Sequence, residues 1–230
     1  MTTTQHLEML NPVAHAALTV SGWKGARPSF VQIVTDEFAT AAATCPILAA
    51  KSAETGAFFV GAMFGFKPGE DLAIEPGEET GAFIPLDLER NGFYIRGEEI
   101  AIDPANPCFA VAHGEPLFES NGEPADALRH RQRVLGRLKA GVEDTDAFLA
   151  TMMEHKLIEP MDISLRFDDG ETLRLEGLYT VSLDALHDLD DVTALALFRS
   201  GRLQLAYGMV ASLRQIPVLA RRRNQRLSQG

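Results

Sequence analysis

A histidine and a glutamate two residues apart, His113 and Glu115, come closest in this sequence to the spacing of a reaction centre. A His-x-acid pair and one distant histidine can form the facial triad that holds non-haem iron. His130, His155 or His187 would have to supply the third ligand, and the sequence does not choose among them. Because a pattern this short recurs by chance, we predict no bound metal and keep His113 and Glu115 as candidate ligands only.

Other kinds of reaction centre lack their motifs. The glycine-rich stretch "GAMFGFKPGED" has neither the strand, GxGxxG and helix order of a dinucleotide site nor the Gly-Lys-Ser/Thr ending of a phosphate loop. The sequence has no Gly-x-Ser-x-Gly elbow, and neither Cys45 nor Cys108 has a setting that would activate a thiol. The catalytic residues are therefore unknown, no cofactor is predicted, and an enzyme is not the favoured interpretation.

The cysteines and the N-terminal residues indicate a cellular location. Cys45 and Cys108 each lie in an apolar stretch, which is typical of buried free thiols in a reducing compartment. The N-terminal residues lack the basic and apolar regions of a secretory signal, and the longest apolar stretches are much shorter than the roughly 20 residues of a membrane-spanning helix. We therefore expect a cytoplasmic protein without a transmembrane segment, with surface association by another route left open.

Charge is distributed unevenly along the chain. The net charge is −11, yet the last eleven residues contain four arginines and no acid. This pattern predicts a basic flexible tail over residues 220–230, either passive or acting as a tether to an acidic partner. The acidic body repels polyanions, so a nucleic-acid partner is disfavoured.

The N-terminal half predicts a mainly antiparallel sheet with a short helix. Apolar runs that suit strands, such as "PSFVQIV", "PILAAK", "GAFFVGAMFGF", "GFYIRG" and "EEIAID", alternate with turn residues. Between the first two runs, Thr35 can cap a short helix in "TDEFATAAA".

Helical spacing begins near residue 124. A stripe of apolar residues predicts a long helix over about residues 124–155, in which two glycines could permit a break; the stripe is Leu128, Leu135, Leu138, Val142, Leu149 and Met152. "MDISLRF", "DDG" and "ETLRLEGLYTV" then predict a β-hairpin, followed by helices that begin after Ser182 and end before Pro217. The predicted fold is α+β: one domain over residues 1–219, with a sub-boundary near 123 left open.

Several blocks of the sequence are similar to a known family. In order, they are "FVQIVTDEFATAAATCPILAA", "GFKPGEDLAI", "FIPLDLERNGFYI", "GEPLFESNGEP", "LIEPMDISLRFDDGETLRLEGLYTV" and "SGRLQLAYGMVASL". From about Asn11 to Leu213 the chain resembles the bacterial SapC family, which is named after a surface-layer protein locus. The chain has Ala101 where the family pattern has cysteine, so the resemblance implies no essential thiol there. We interpret "GEPLFESNGEP" as a corner that ends the sheet and begins the long helix.

Two functional hypotheses follow. The resemblance implies a non-catalytic accessory protein with a protein partner, linked to a surface layer or to TonB-dependent receptors and flavin-dependent halogenase-like proteins. The alternative, motivated by His113 and Glu115, is a metal-dependent enzyme or a small-ligand-binding protein with an unrecognised site. The sequence leaves the partner and the oligomeric state open.

Overall fold

The computed structural model describes residues 6–23, 27–74, 82–109 and 114–228. The chain forms two compact units, the first from residues 1–25 and 86–140 and the second from residues 26–85 and 141–230. The single domain over residues 1–219 and the sub-boundary near residue 123 stay predictions.

The described residues form both strands and helices. The strands are β1 (Glu8–Met9), β2 (Thr19–Val20), β3 (Phe30–Gln32), β4 (Ile47–Lys51), β5 (Phe58–Met63), β6 (Phe93–Arg96), β7 (Glu99–Ile102), β8 (Glu115–Pro116), β9 (Ile158–Arg166) and β10 (Thr172–Val181). The helices are α1 (Phe38–Ala42), α2 (Leu86–Glu89), α3 (Asp126–Glu154), α4 (Leu183–His187), α5 (Asp191–Arg199), α6 (Arg202–Ser212) and α7 (Gln215–Leu227). Mixed helices and antiparallel sheets confirm the α+β class.

The first unit contains two small antiparallel sheets. Strands β1, β7 and β6 form one sheet in that order, and β2 pairs with β8 in the other. A buried apolar cluster lies between these strands and the first half of α3, with Phe93, Ile102, Leu117, Leu128 and Leu135 among its members. Hydrophobic burial therefore holds the short strands, which have few ladder hydrogen bonds of their own.

The second unit contains a five-stranded antiparallel sheet in the order β3-β5-β4-β10-β9. The predicted hairpin is confirmed as β9 and β10, and a register shift between Leu175 and Leu178 accompanies a positive φ of 76° at Gly177. The sheet joins strands from before residue 64 to the later hairpin through the β4 and β10 pair. This long-range pairing was not predicted, because the local sequence pattern does not specify which strands pair.

Helix α3 is continuous and confirms the long helix predicted from the apolar stripe. Leu128, Leu135, Leu149 and Met152 are buried, but Val142 is 43% exposed. The neighbouring buried position is Gly141, where a Cβ atom would lie 2.5 Å from Cγ2 of Val34. The helix surface around residue 141 is therefore defined by close packing of the backbone and not by an apolar side chain.

Substituting Gly141 should destabilise the protein although it lies in a helix. Gly141→Ala places its Cβ against the β-branched side chain of Val34, so we expect a loss of about 1 to 3 kcal/mol in the free energy of unfolding. Gly136→Ala is the matched control, because nothing lies within 4 Å of a Cβ there, and it should gain about 0.5 to 1 kcal/mol. Urea denaturation measures both, and equal stabilisation of the two variants would contradict the packing.

The C-terminal helices are confirmed, but their end differs from the prediction. Ser182 caps α4, as expected, through a hydrogen bond from the Ala185 N–H. Pro217 does not end the helical region but lies in the first turn of α7. Proline is tolerated there because the N–H groups of a first turn have no intrahelical acceptor. The helix continues through Leu227, which corrects the prediction of a flexible tail for residues 220–227. The physical reason is the set of arginine contacts described below.

Among the described helices, none combines the length and the apolarity that a membrane span requires.

Candidate functional site

Residues 64–74, here called the clamped loop, follow β5 and have a tightly fixed backbone. The carboxylate of Glu70 accepts hydrogen bonds of 3.1 Å from the N–H groups of Phe66 and Lys67, and Leu72 donates to the carbonyl oxygen of Phe64. A Cβ at Gly65 would lie 2.4 Å from the Glu70 carbonyl oxygen, so this close approach requires glycine. Gly65 therefore shapes the backbone of this loop.

One side of the clamped loop is held by a buried arginine. Arg27 is 3% exposed and forms a bidentate ion pair with Asp71, with two nitrogen to oxygen distances of 2.8 Å. Its guanidinium also donates to the carbonyl oxygen of Phe83 and lies 4.2 Å from the ring centroid of Phe64. A bidentate pair of an arginine and a carboxylate is a strong interaction with a defined geometry, so the Asp71 carboxylate has a structural role.

A second buried arginine comes from α7. Arg223 is 5% exposed, and its Nε and Nη2 atoms lie 3.0 Å from Glu70 and 2.7 Å from Glu171. Lys67 also pairs with Glu171, and the Arg223 guanidinium lies 4.1 Å from the ring centroid of Phe167. The cluster therefore joins the clamped loop, helix α7 and the turn that precedes β10.

Two further arginines of α7 bind backbone carbonyl groups of the clamped loop. Arg222 Nη1 lies 3.1 and 3.0 Å from the carbonyl oxygens of Leu72 and Ala73. Arg226 reaches two more carbonyl oxygens within residues 71–74, at 2.6 and 2.8 Å. Loop carbonyls lack sheet partners, so these arginines satisfy acceptors that would otherwise need water.

The cluster around Arg223 predicts a dependence of stability on pH. Hydrogen bonds and charge from Lys67 and Arg223 lower the pKa of the Glu171 carboxyl. Because the pKa of Glu171 is lower in the folded state than in the unfolded state, its ionised carboxylate stabilises the fold at pH values above the unfolded-state pKa. This stabilisation is lost as the pH falls through the folded-state pKa. We therefore expect the free energy of unfolding of Glu171→Gln to fall less on acidification than that of the wild type. Urea denaturation at successive pH values measures both. Glu159→Gln, at an exposed position of β9, should follow the wild-type curve.

Helix α5 has an exposed apolar face. Val192, Leu195 and Phe198 are 79%, 46% and 69% exposed, and they recur every third residue. The opposite face packs inward through Leu197, which is 3% exposed. Asp190 caps the helix by accepting from the N–H groups of Val192 and Thr193. The cap and the buried face fix this helix, so the three apolar side chains are displayed on an ordered element.

The first unit contains a buried arginine that donates to backbone carbonyl groups. Arg131 is 5% exposed and donates to the carbonyl oxygens of Glu89 and Ser21. Its Nε atom is buried and, among the described residues, has no hydrogen-bond partner; the same is true of Nε1 of Trp23. Burial lowers the pKa of the Arg131 guanidinium, and the negative charges of Glu89 and Glu115 partly oppose this. Two buried donors of this unit therefore lack an acceptor among the residues that the structure describes.

The candidate metal ligands named from the sequence are not seen together in the described part of the chain. His113 lies outside the described residues, and Glu115 is exposed in β8. His130 is paired with Glu89, with 2.8 Å between its Nε2 atom and the carboxylate. Within the described residues, no group of three or more histidine, cysteine, aspartate or glutamate side chains could hold a metal. The prediction of no bound metal therefore stays a prediction, and His113 and Glu115 stay candidate ligands only.

Both cysteines are free and buried. Burial raises the pKa of the Cys45 thiol to about 12 and that of Cys108 to about 11. Cys108 donates to the carbonyl oxygen of Asn91. These thiols are protonated at neutral pH and pack as small apolar groups, as the sequence predicted.

Sequence reasoning missed the arginines of α7 and the apolar face of α5. Leu219, Arg222, Arg223 and Arg226 are spaced as one helical face, and this spacing could have indicated that the arginines share a surface. The α5 stripe has no comparable signal, because the sequence does not say which side of a short apolar helix packs inward.

The comparisons with known proteins identify the family. The family model described as SapC matches residues 10–219. No curated protein and no solved structure matches the chain. Since the family match covers nearly all of the 230 residues, the chain belongs to the SapC family.

Proposed function

We propose that this protein is a non-catalytic accessory protein that acts by binding another protein through the exposed face of α5. Membership of the SapC family supports a link to a surface layer or to a TonB-dependent uptake system with halogenase-like proteins. We propose that the protein acts in the cytoplasm, with surface association by another route left open.

The observation that carries the proposal is the exposure of Val192, Leu195 and Phe198 on one ordered helix. Neighbouring apolar side chains exposed together mark interaction surfaces, whereas single ones are ordinary. Aromatic and aliphatic anchors on such a face contribute binding free energy when a partner removes them from water.

The clamped loop supports the non-catalytic part of the proposal. The acidic side chains of Glu70 and Asp71 are paired with buried arginines, and these ion pairs hold the backbone of the loop in place. Groups held in this way stabilise structure and are poor general acids or bases, because a proton transfer would break the pair.

The experiment compares two valine substitutions in the full chain. Val192→Asp places a charge on the α5 face, and Val142→Asp places the same charge on an exposed position of α3. Each variant is expressed in the native host, and proteins recovered with the chain are quantified by mass spectrometry. We expect a set of recovered proteins to fall about tenfold or more with Val192→Asp and to be unchanged with Val142→Asp. Equal recovery of all bound proteins with both variants, further copies of this chain included, would refute the proposal.

A second candidate function is the binding of a small anionic ligand. The buried Nε of Arg131 and Nε1 of Trp23, which have no partner within the described part of the chain, favour it. A carboxylate or phosphate oxygen is the acceptor that a buried guanidinium binds best. Trp23 is the single tryptophan, so its fluorescence reports on this region directly. Titration with acetate or inorganic phosphate should shift its emission saturably, and a shift no larger than that caused by sodium chloride would contradict the candidate.

A further inference from the structure

The face of α5 has a symmetry that its apolar content alone does not reveal. At 100° per residue, Val192 and Phe198 each lie about 60° from Leu195 around the helix axis, on opposite sides. The two residues also lie equally far from Leu195 along the axis, three residues in either direction. The apolar stripe is therefore centred on Leu195.

Charged residues follow the same symmetry with opposite signs. Asp191 and Arg199 lie four residues before and after Leu195, each about 40° from it around the axis. Both are exposed and neither has an ion-pair partner in the part of the chain that the structure describes. Beyond the helix, Asp188 adds negative charge at one end and Arg202 adds positive charge at the other. The face is acidic at its N-terminal end, apolar in the middle and basic at its C-terminal end.

From this pattern we infer that the α5 face binds the α5 face of a second copy of this chain, in an antiparallel pair with a two-fold axis at Leu195. In that arrangement Leu195 meets its own copy, and Val192 lies level with Phe198 of the second copy. Asp191 lies level with Arg199 of the second copy, and each such contact occurs twice. A two-fold interface requires a self-complementary surface of this kind.

The pattern selects a second copy over a different partner. A parallel pairing would place acid beside acid and base beside base, which electrostatic repulsion disfavours. Binding an unrelated helix does not require that the residues on the two sides of Leu195 complement each other. An antiparallel copy does require this, and the sequence has apolar residues three positions away and opposite charges four positions away on either side of Leu195. One short helix from each chain buries little area, so the dimer belongs with weak interfaces and dissociates on dilution.

The inference rests on the proposed function, because it names the partner of the same α5 face. Sedimentation velocity of the full chain, over about two orders of magnitude in concentration, measures the dimer. We expect a reversible monomer to dimer transition that Leu195→Asp abolishes and Val142→Asp leaves unchanged. A wild-type protein that is monomeric throughout, or a dimer that persists in Leu195→Asp, overturns the inference.

Exchange of the charges tests the antiparallel geometry. Asp191→Arg alone and Arg199→Asp alone each turn two attractive contacts into two repulsive ones, so each should weaken the dimer about tenfold or more. The double variant Asp191→Arg/Arg199→Asp restores opposite charges at each level and should recover much of the lost affinity. A double variant no stronger than the single variants overturns the geometry, and circular dichroism of each variant checks that α5 is folded.

The two proposals fail in different ways. If the wild-type chain is monomeric while Val192→Asp still loses host proteins that Val142→Asp retains, the α5 face binds another protein and only the second-copy inference fails. If Val192→Asp changes neither the recovered proteins nor the oligomeric state, both proposals fail.

Discussion

Replacing Arg27 by methionine is expected to lower the free energy of unfolding by about 3 to 5 kcal/mol. The substitution retains an apolar stem but leaves the Asp71 carboxylate, whose side chain is 13% exposed, without its bidentate partner. It also removes the donor to the Phe83 carbonyl oxygen and the contact with the Phe64 ring. The cost comes mainly from a carboxylate left out of water without a counter-charge.

An exposed arginine with ion pairs is the control for Arg27. Arg174 pairs with Asp162 and Glu176, but its side chain is 63% exposed. Arg174→Met should therefore cost only about 0 to 1 kcal/mol in urea denaturation. Adding Asp71→Asn to Arg27→Met should recover part of the loss, because the amide needs no counter-charge. A loss for Arg27→Met no greater than that for Arg174→Met would contradict the role of the buried pair.

Replacing Arg223 by alanine is the second large effect, and we expect a loss of about 2 to 4 kcal/mol. The substitution removes the cation between Glu70 and Glu171 and its contact with the Phe167 ring. The expected loss is smaller than for Arg27, because the side chains of Glu70 and Glu171 are 23% and 33% exposed and water screens them.

Arg221 provides the matched control for Arg223 on the same helix. It is exposed two positions earlier, so Arg221→Ala should change the free energy of unfolding by no more than about 0.5 kcal/mol. Urea denaturation of the two variants compares a buried and an exposed arginine of one basic segment. Equal stability of the two variants would restore the prediction of a passive tail for residues 220–227.

The sequence was sufficient to predict elements that depend on local patterns. The period of α3, the alternation of β9 and β10 and the cap at Ser182 are confirmed, because each is set by residues within a few positions of one another. The α+β class follows from the same patterns. The SapC resemblance was carried by blocks along nearly the whole chain, and the family match confirms it.

What could not be predicted depends on contacts between distant residues. Arg223 binds Glu70 and Glu171, which are 153 and 52 positions away, and a run of arginines at a chain end ordinarily remains in water. Likewise, the β4 and β10 pairing joins strands more than a hundred positions apart. The apolar face of α5 was also missed, because exposure is decided by what packs against the helix and not by its composition.

Photo-crosslinking at Leu195 tests most directly whether this protein works through the α5 face. A benzophenone amino acid replaces Leu195 in the full chain in the native host, and a second strain carries it at Val142, which is similarly exposed on α3. We expect irradiation to give discrete crosslinked protein species from position 195 and none from position 142, with a second copy of the chain among the species from position 195. No crosslinked protein from position 195, or the same species from both positions, would contradict the account.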